Sequence, residues 1–213
     1  MIFNIYILIF NFDVLLDASI VTCIPEIVNI RVKSKWNKYR RNQKNFTIGK
    51  RLNEHLFNEL IDAFAEYYQD RSAVLNSKVD FYNNISYTIK EEDHFVDVRL
   101  CVGEVVNVLE EDETEESYAI IRGIFTYERS KKLHAFVIFD WFEKIGEDTL
   151  LKCPKYRLRG PEEANWNRVF SLSLIDHNPK VHFVHDCDNT CSNSKHNLMN
   201  RCYLKNMYYY LVI

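Results

Sequence analysis

Four residues near the C-terminus, Cys187, Cys191, His196 and Cys202, have the side chains and the spacing for metal chemistry. They form C-x3-C-x4-H-x5-C, which superficially resembles the retroviral-type zinc knuckle C-x2-C-x4-H-x4-C. Thiolate and imidazole donors on a short loop suit tetrahedral Zn2+. Both outer gaps are one residue longer than in the knuckle, and the glycine and aromatic residue usual inside it are absent. Cys187 also reads as a buried structural thiol, a role that needs no metal. His182 and His185 lie just upstream, but on a strand they point to opposite faces, so one site does not readily take both. Zinc at this cluster is the one cofactor the sequence suggests.

Reaction chemistry finds fewer candidates. Catalysis needs a nucleophile with its base, a carboxylate pair or an open metal site. The chain has no G-x-S-x-G, no G-x-x-x-x-G-K-S/T, no H-E-x-x-H and no G-x-G-x-x-G. With five glycines, a loop that cradles phosphate is hard to build. Asp140, Asp176 and Asp186 fall at strand ends, where acids are ordinarily just solvated. The expectation is a binding protein, not an enzyme.

Charge is segregated. The net charge is −3, yet residues 31–51 carry nine Lys or Arg and no acid, and residues 104–116 carry seven acids and no base. The basic run is interleaved with aromatic residues, and Lys35, Trp36, Lys38, Arg40 and Arg41 are its candidate contacts to DNA or RNA, through phosphate neutralisation and base stacking. A nuclear-import signal or a solvated linker explains the same run. The six cysteines sit in a chain with a large aliphatic and aromatic core, and so are expected to be reduced thiols and not a disulfide scaffold. The apolar leader, residues 1–24, lacks a basic n-region and contains Asn4, Asn11, Asp13 and Asp17, which argues against both a signal peptide and a membrane span.

The elements that must position these residues follow from periodicity. Residues 1–30 read as an apolar extension, 31–51 as a flexible basic arm and 52–78 as an amphipathic helix, with Leu52, Leu56, Leu60, Phe64 and Tyr68 recurring every four residues. From residue 79 the period shifts towards two. Strands are expected at 81–89, 96–101, 105–109, 118–127, 133–142, 169–175, 181–186 and 203–212, with 144–167 a long surface excursion. No helical pattern alternates with the strands, so the spacing favours a small barrel or sandwich over a parallel sheet.

The order of the strands carries a resemblance. VGEVVNVL, SYAIIRGIF, LHAFVIFDWFE, RVFSLSLID and VHFVHDC follow one another between residues 102 and 187. Together they resemble the bromo-adjacent homology (BAH) domain, whose pattern runs G-D/E-x-V-x-V, an aromatic followed by A-x-I-x-x-I, a W-F/Y strand, an x-V-F segment and an I-x-x-x-C strand. The resemblance covers roughly residues 98 to 213. It implies a mainly β fold, a distorted SH3-like β-barrel with long loops, acting in the nucleus as a chromatin-associated protein-interaction module. In the methyl-lysine readers of that family an aromatic cage binds a histone tail. Carried over one residue at a time, its positions become Tyr118, Trp141 and Glu143, the last of them an acid where the readers have an aromatic. Two aromatic faces and a carboxylate would favour an unmodified or lower-methylated lysine, which keeps an N–H to donate. Alternatively, Tyr118 and Trp141 are packing residues of an all-β core.

Overall fold

The structure is a computed structural model. It describes residues 26–35, 47–48, 51–68, 79–91, 93–109, 116–129, 131–160, 163, 167–176, 181–192, 195–197 and 199–208. The chain is mainly β, with a single α-helix among the described residues. In chain order the elements are β1 (Glu26–Lys35), β2 (Thr47–Ile48), β3 (Arg51–Leu52), α1 (Glu54–Tyr68), β4 (Asp80–Glu91), β5 (His94–Cys101) and β6 (Val105–Val108). Then come β7 (Ser117–Arg129), β8 (Lys132–Glu147), β9 (Pro154–Leu158), β10 (Val169–Ser171), β11 (Ile175–Asp176), β12 (Phe183–His185) and β13 (Cys202–Lys205). A 3-10 turn, Leu172–Leu174, separates β10 from β11.

Eleven strands pair antiparallel in one branched sheet whose main path runs β1-β4-β7-β8-β9-β13-β12. β5 joins β4, β6 joins β7 and β11, and β10 joins β8. Among the described residues the pairing leaves the sheet open, so the expected closure into a barrel is absent. Two further expectations change. Glu26–Lys35 is a single strand crossing the expected boundary between apolar extension and basic arm, because Ile30 and Val32 pack on the core while Arg31 and Lys33 face outward. The expected excursion at 144–167 contains the end of β8 and the whole of β9, whose Tyr156 and Leu158 are buried.

The helix covers Glu54–Tyr68 of the expected 52–78: Leu52 of the stripe belongs to β3, and residues 69–78 lie outside the described residues. Asn53 caps it, its side-chain oxygen accepting from the Leu56 amide at 2.9 Å. Leu56, Leu60 and Phe64 bury themselves against Phe81, Phe125 and Phe136. Burying three such side chains stabilises by roughly 5 to 9 kcal/mol in all. Glu59 fixes the helix laterally: one carboxylate oxygen accepts from the Arg168 amide at 2.7 Å and the Val169 amide at 2.9 Å. Among the described residues, no helix is long and apolar enough to cross a membrane.

Candidate metal centre

The β12–β13 hairpin has three paired positions, Phe183 with Lys205, Val184 with Leu204 and His185 with Tyr203. Strand alternation therefore puts Phe183, His185, Tyr203 and Lys205 on one face. Phe183 packs on Phe142 with ring centroids 4.4 Å apart, and His185 meets Tyr203 edge-on at 5.4 Å. This packing aims the His185 ring at the loop that joins the two strands.

Four donors converge there: His185, Cys187, Cys191 and His196, with all ligand atoms within 4.8 Å of one another. The Cys187 Sγ lies 3.2 Å from His196 Nδ1 and 3.5 Å from His185 Nδ1, and Cys191 Sγ lies 3.9 Å from His185 Nδ1. A tetrahedral zinc with ordinary bond lengths separates sulfur from nitrogen donors by about 3.5 Å. The set therefore matches a metal-binding tetrahedron to within a few tenths of an ångström at each of these three edges.

The surroundings suit ligation. His185 Nε2 donates to the Asn200 carbonyl at 2.8 Å, which leaves the Nδ1 lone pair facing the cluster. The Asn197 amide donates to the Cys191 sulfur at 3.3 Å. Asn200 organises the loop: its side-chain amide donates to the Asp186 carbonyl and to Asp188, both at 2.9 Å, and its Oδ1 accepts from the Cys202 amide at 3.0 Å. Asp188 in turn accepts from the Thr190 hydroxyl and amide. These bonds hold its carboxyl below the usual range, the hydroxyl contributing most.

Three of the four residues that the sequence nominated are thus brought together, and the fourth is not. Cys202 precedes Tyr203, the register partner of His185, and alternation turns the Cys202 thiol to the other face. His185 takes its place. The parity argument that separates His182 from His185 holds: His182 bonds Asn206 instead, at 3.2 Å. The signal available in the sequence was H-x-C-x3-C-x4-H. The described cysteines are free thiols.

The peptide-contact positions do not assemble. On the β7–β8 ladder Tyr118 pairs with Phe142 and Trp141 pairs with Ala119, so Tyr118 and Trp141 project from opposite faces of the sheet. Both are buried, at 2% and 4% exposure. Trp141 packs on Phe139 and Phe170 and donates its indole N–H to the Asn167 carbonyl at 2.7 Å. Tyr118 packs on Tyr156 and Phe183, and its ring is covered by Lys205, whose Nζ lies 4.5 Å from the centroid. Lys205 also bonds Glu116 at 2.7 Å, while burial and the hydrogen bond to Glu116 push the Tyr118 phenol far above its ordinary range. Glu143 is an ion-pair partner, 2.6 Å from Arg157 and 3.0 Å from Arg159, and the Arg157 hydrogen bond leads in holding its carboxyl below the usual range. These three residues therefore stabilise the sheet.

Of the nucleic-acid candidates, Lys35 ends β1 and pairs with Asp80 at 2.6 Å. Trp36, Lys38, Arg40 and Arg41 lie outside the described residues. No protein-family model matches the chain, and no curated protein matches it significantly.

Proposed function

We propose that this protein is a non-catalytic interaction module of mainly β structure, braced at its C-terminal edge by one structural Zn2+ on His185, Cys187, Cys191 and His196. The observation that carries the reading is the convergence of four donor atoms within 4.8 Å, two of them thiols and two imidazoles. That donor set is one that zinc favours over harder cations. Four protein donors fill a tetrahedron, which leaves no position for water or substrate; such closed sites are structural. The BAH-like strand order supports a nuclear, chromatin-associated setting with a histone or other peptide as partner. In this reading the partner docks elsewhere than on Tyr118 and Trp141, which are occupied in packing.

Metal analysis of the purified full chain, with a histone-peptide array alongside, tests both halves. One zinc per chain is expected, lost in Cys187→Ser/Cys191→Ser, together with a Co2+ form showing tetrahedral absorption. A chain purified from zinc-replete medium that holds no zinc, and that gives no such spectrum with Co2+, overturns the brace. An array without binding overturns the peptide partner.

A further inference from the structure

The second feature lies at the opposite end of the sheet path. β4 carries β1 along one side and β5 along the other, and alternation sorts this three-stranded ribbon into two faces. Ile30 and Val32 of β1, Ile85, Tyr87 and Ile89 of β4, and Val96, Val98 and Leu100 of β5 pack into the core. The outer face is a grid of polar and charged residues, mostly cationic but with Asp97 among them. Across the strands it reads Arg31–Ser86–Arg99, then Asn29–Thr88–Asp97, then Lys33–Asn84–Cys101.

Arg31 and Arg99 stand two strand spacings apart, about 10 Å, on either side of Ser86. Between them runs an open groove of ≈ 190 Å³, lined also by Asn29, Thr88 and Asp97. Arg31, Lys33 and Arg99 are exposed and, among the described residues, form no ion pair. Asp97 is the acid in the groove, and it accepts from the Thr88 hydroxyl at 2.6 Å. Further along β5, two residues from Asp97 on the same face, Phe95 is 65% exposed. An exposed phenylalanine ring opposite Lys90 and about 13 Å along β5 from Arg99, with the guanidinium and hydroxyl groups of the groove further along the same face, offers what a nucleotide strand needs. Cations and hydroxyls meet phosphate, and the ring meets a base. β1 then leads in sequence directly into the remaining cations of the basic run.

We infer that the outer face of β1, β4 and β5 binds the backbone of a single-stranded nucleic acid, with Arg31, Lys33 and Arg99 on phosphates and Phe95 under a base. The surface is formed by the sheet, not only by the basic segment that follows β1, and it is independent of the metal centre.

The test is fluorescence anisotropy with labelled twelve-nucleotide mixed-sequence RNA and DNA, using the full chain from 50 to 300 mM salt. Each phosphate contact contributes about −0.7 to the slope of log K against log salt for a single strand, so Arg31→Ala/Arg99→Ala should reduce the slope magnitude by about 1.4 and weaken binding about 25-fold at 0.1 M salt. Phe95→Ala should weaken binding by at least about fivefold and leave the slope unchanged. Lys152→Glu, an exposed cation on a distant turn, is the control and should bind as wild type. The double variant should retain the wild-type melting temperature, since neither arginine is tied to the core. Three results overturn the inference: no oligonucleotide binding at 50 mM salt, unchanged binding by the folded double variant, or displacement of the oligonucleotide by an equal concentration of polyglutamate.

Discussion

His185 and Cys202 make opposite predictions about the metal centre, and a paired substitution separates them. The zinc-knuckle spacing makes Cys202 the fourth ligand, whereas the structure turns its thiol away and brings in His185 Nδ1, 3.5 Å from Cys187 Sγ. Structural zinc contributes roughly 10 to 16 kcal/mol of apparent binding in small zinc peptides. Shared evenly over four donors, the lower figure gives about 2.5 kcal/mol for one ligand, or about 70-fold in affinity. His185→Ala should therefore weaken zinc by about 70-fold in a chelator competition at neutral pH. Its Co2+ derivative should lose the tetrahedral spectrum as water fills the fourth position. Cys202→Ala should stay within about threefold of wild type and keep that spectrum, because it removes only a half-buried thiol from the other face of β13. The larger loss falling on Cys202→Ala, with His185→Ala unaffected, refutes the assignment and the strand-parity reasoning beneath it.

Two more predictions concern the scaffold. Glu59→Ala leaves the Arg168 and Val169 amides without their shared acceptor and should cost roughly 3 to 5 kcal/mol, read as a lower urea midpoint at constant m; Glu59→Gln, which keeps one acceptor oxygen, should cost about 1 kcal/mol. Equal midpoints for Ala and Gln refute the role of the two amide bonds. Glu143 has a folded-state pKa below its ordinary value, so its contribution is present above the unfolded pKa and is lost as pH falls through the folded one. Urea midpoints measured downward from pH 5 should therefore fall more steeply for wild type than for Glu143→Gln, with the difference shrinking in high salt. Parallel curves refute the contribution of the Arg157 and Arg159 pairs.

How much of this was legible depended on whether a residue's role is set along the strand or across it. The α1 stripe and the strands from Phe81 to Cys101 show in the sequence because their own alternation encodes burial. β1 is split between the apolar extension (to residue 30) and the basic arm (from residue 31) because Arg31, Lys33 and Lys35 change the composition there, although Ile30 and Val32 keep a period of two across that boundary. β9 was hidden by the proline that opens it and by Gly146 before it. The two site assignments that changed both turn on cross-strand register. Nothing along the chain states that Trp141 lies opposite Ala119 and not opposite Tyr118, or that His185 lies opposite Tyr203. A one-residue slip of either ladder would invert which side chains share a face. Three metal donors were legible because they sit on one loop, where spacing alone limits reach; the fourth sits on a strand, where facing decides.

A metal bound at these four donors would also answer an energetic question that the hairpin raises. β12 lies at the end of the sheet path and pairs with β13 at only three positions, yet residues 186–201 form the connection between them. Closing a connection of that length carries a substantial entropic cost, about 3 kcal/mol by the chain-entropy relation used for cross-links of similar span. Three ladder positions do not comfortably offset it. The apolar packing here belongs to the strands: Phe183 and Tyr203 join Tyr118, Phe142 and Tyr156. The connection contributes Asp, Asn, Ser and Thr, with Met199 exposed. Its internal order comes from the Asn200 hydrogen bonds and from the four converging donors. A cation bound by those donors, from His185 at the loop's entry to His196 near its far side, would add its binding free energy to the folded loop alone and so offset that closure cost. It follows that chelation should loosen residues 183–205 before the rest of the sheet. Amide exchange should rise across that segment on EDTA treatment while the amides of β7 and β8, buried in the centre, keep their protection. Uniform loosening of all strands would mean that the metal supports the whole sheet, and absence of any change would mean that the hydrogen bonds alone hold the loop.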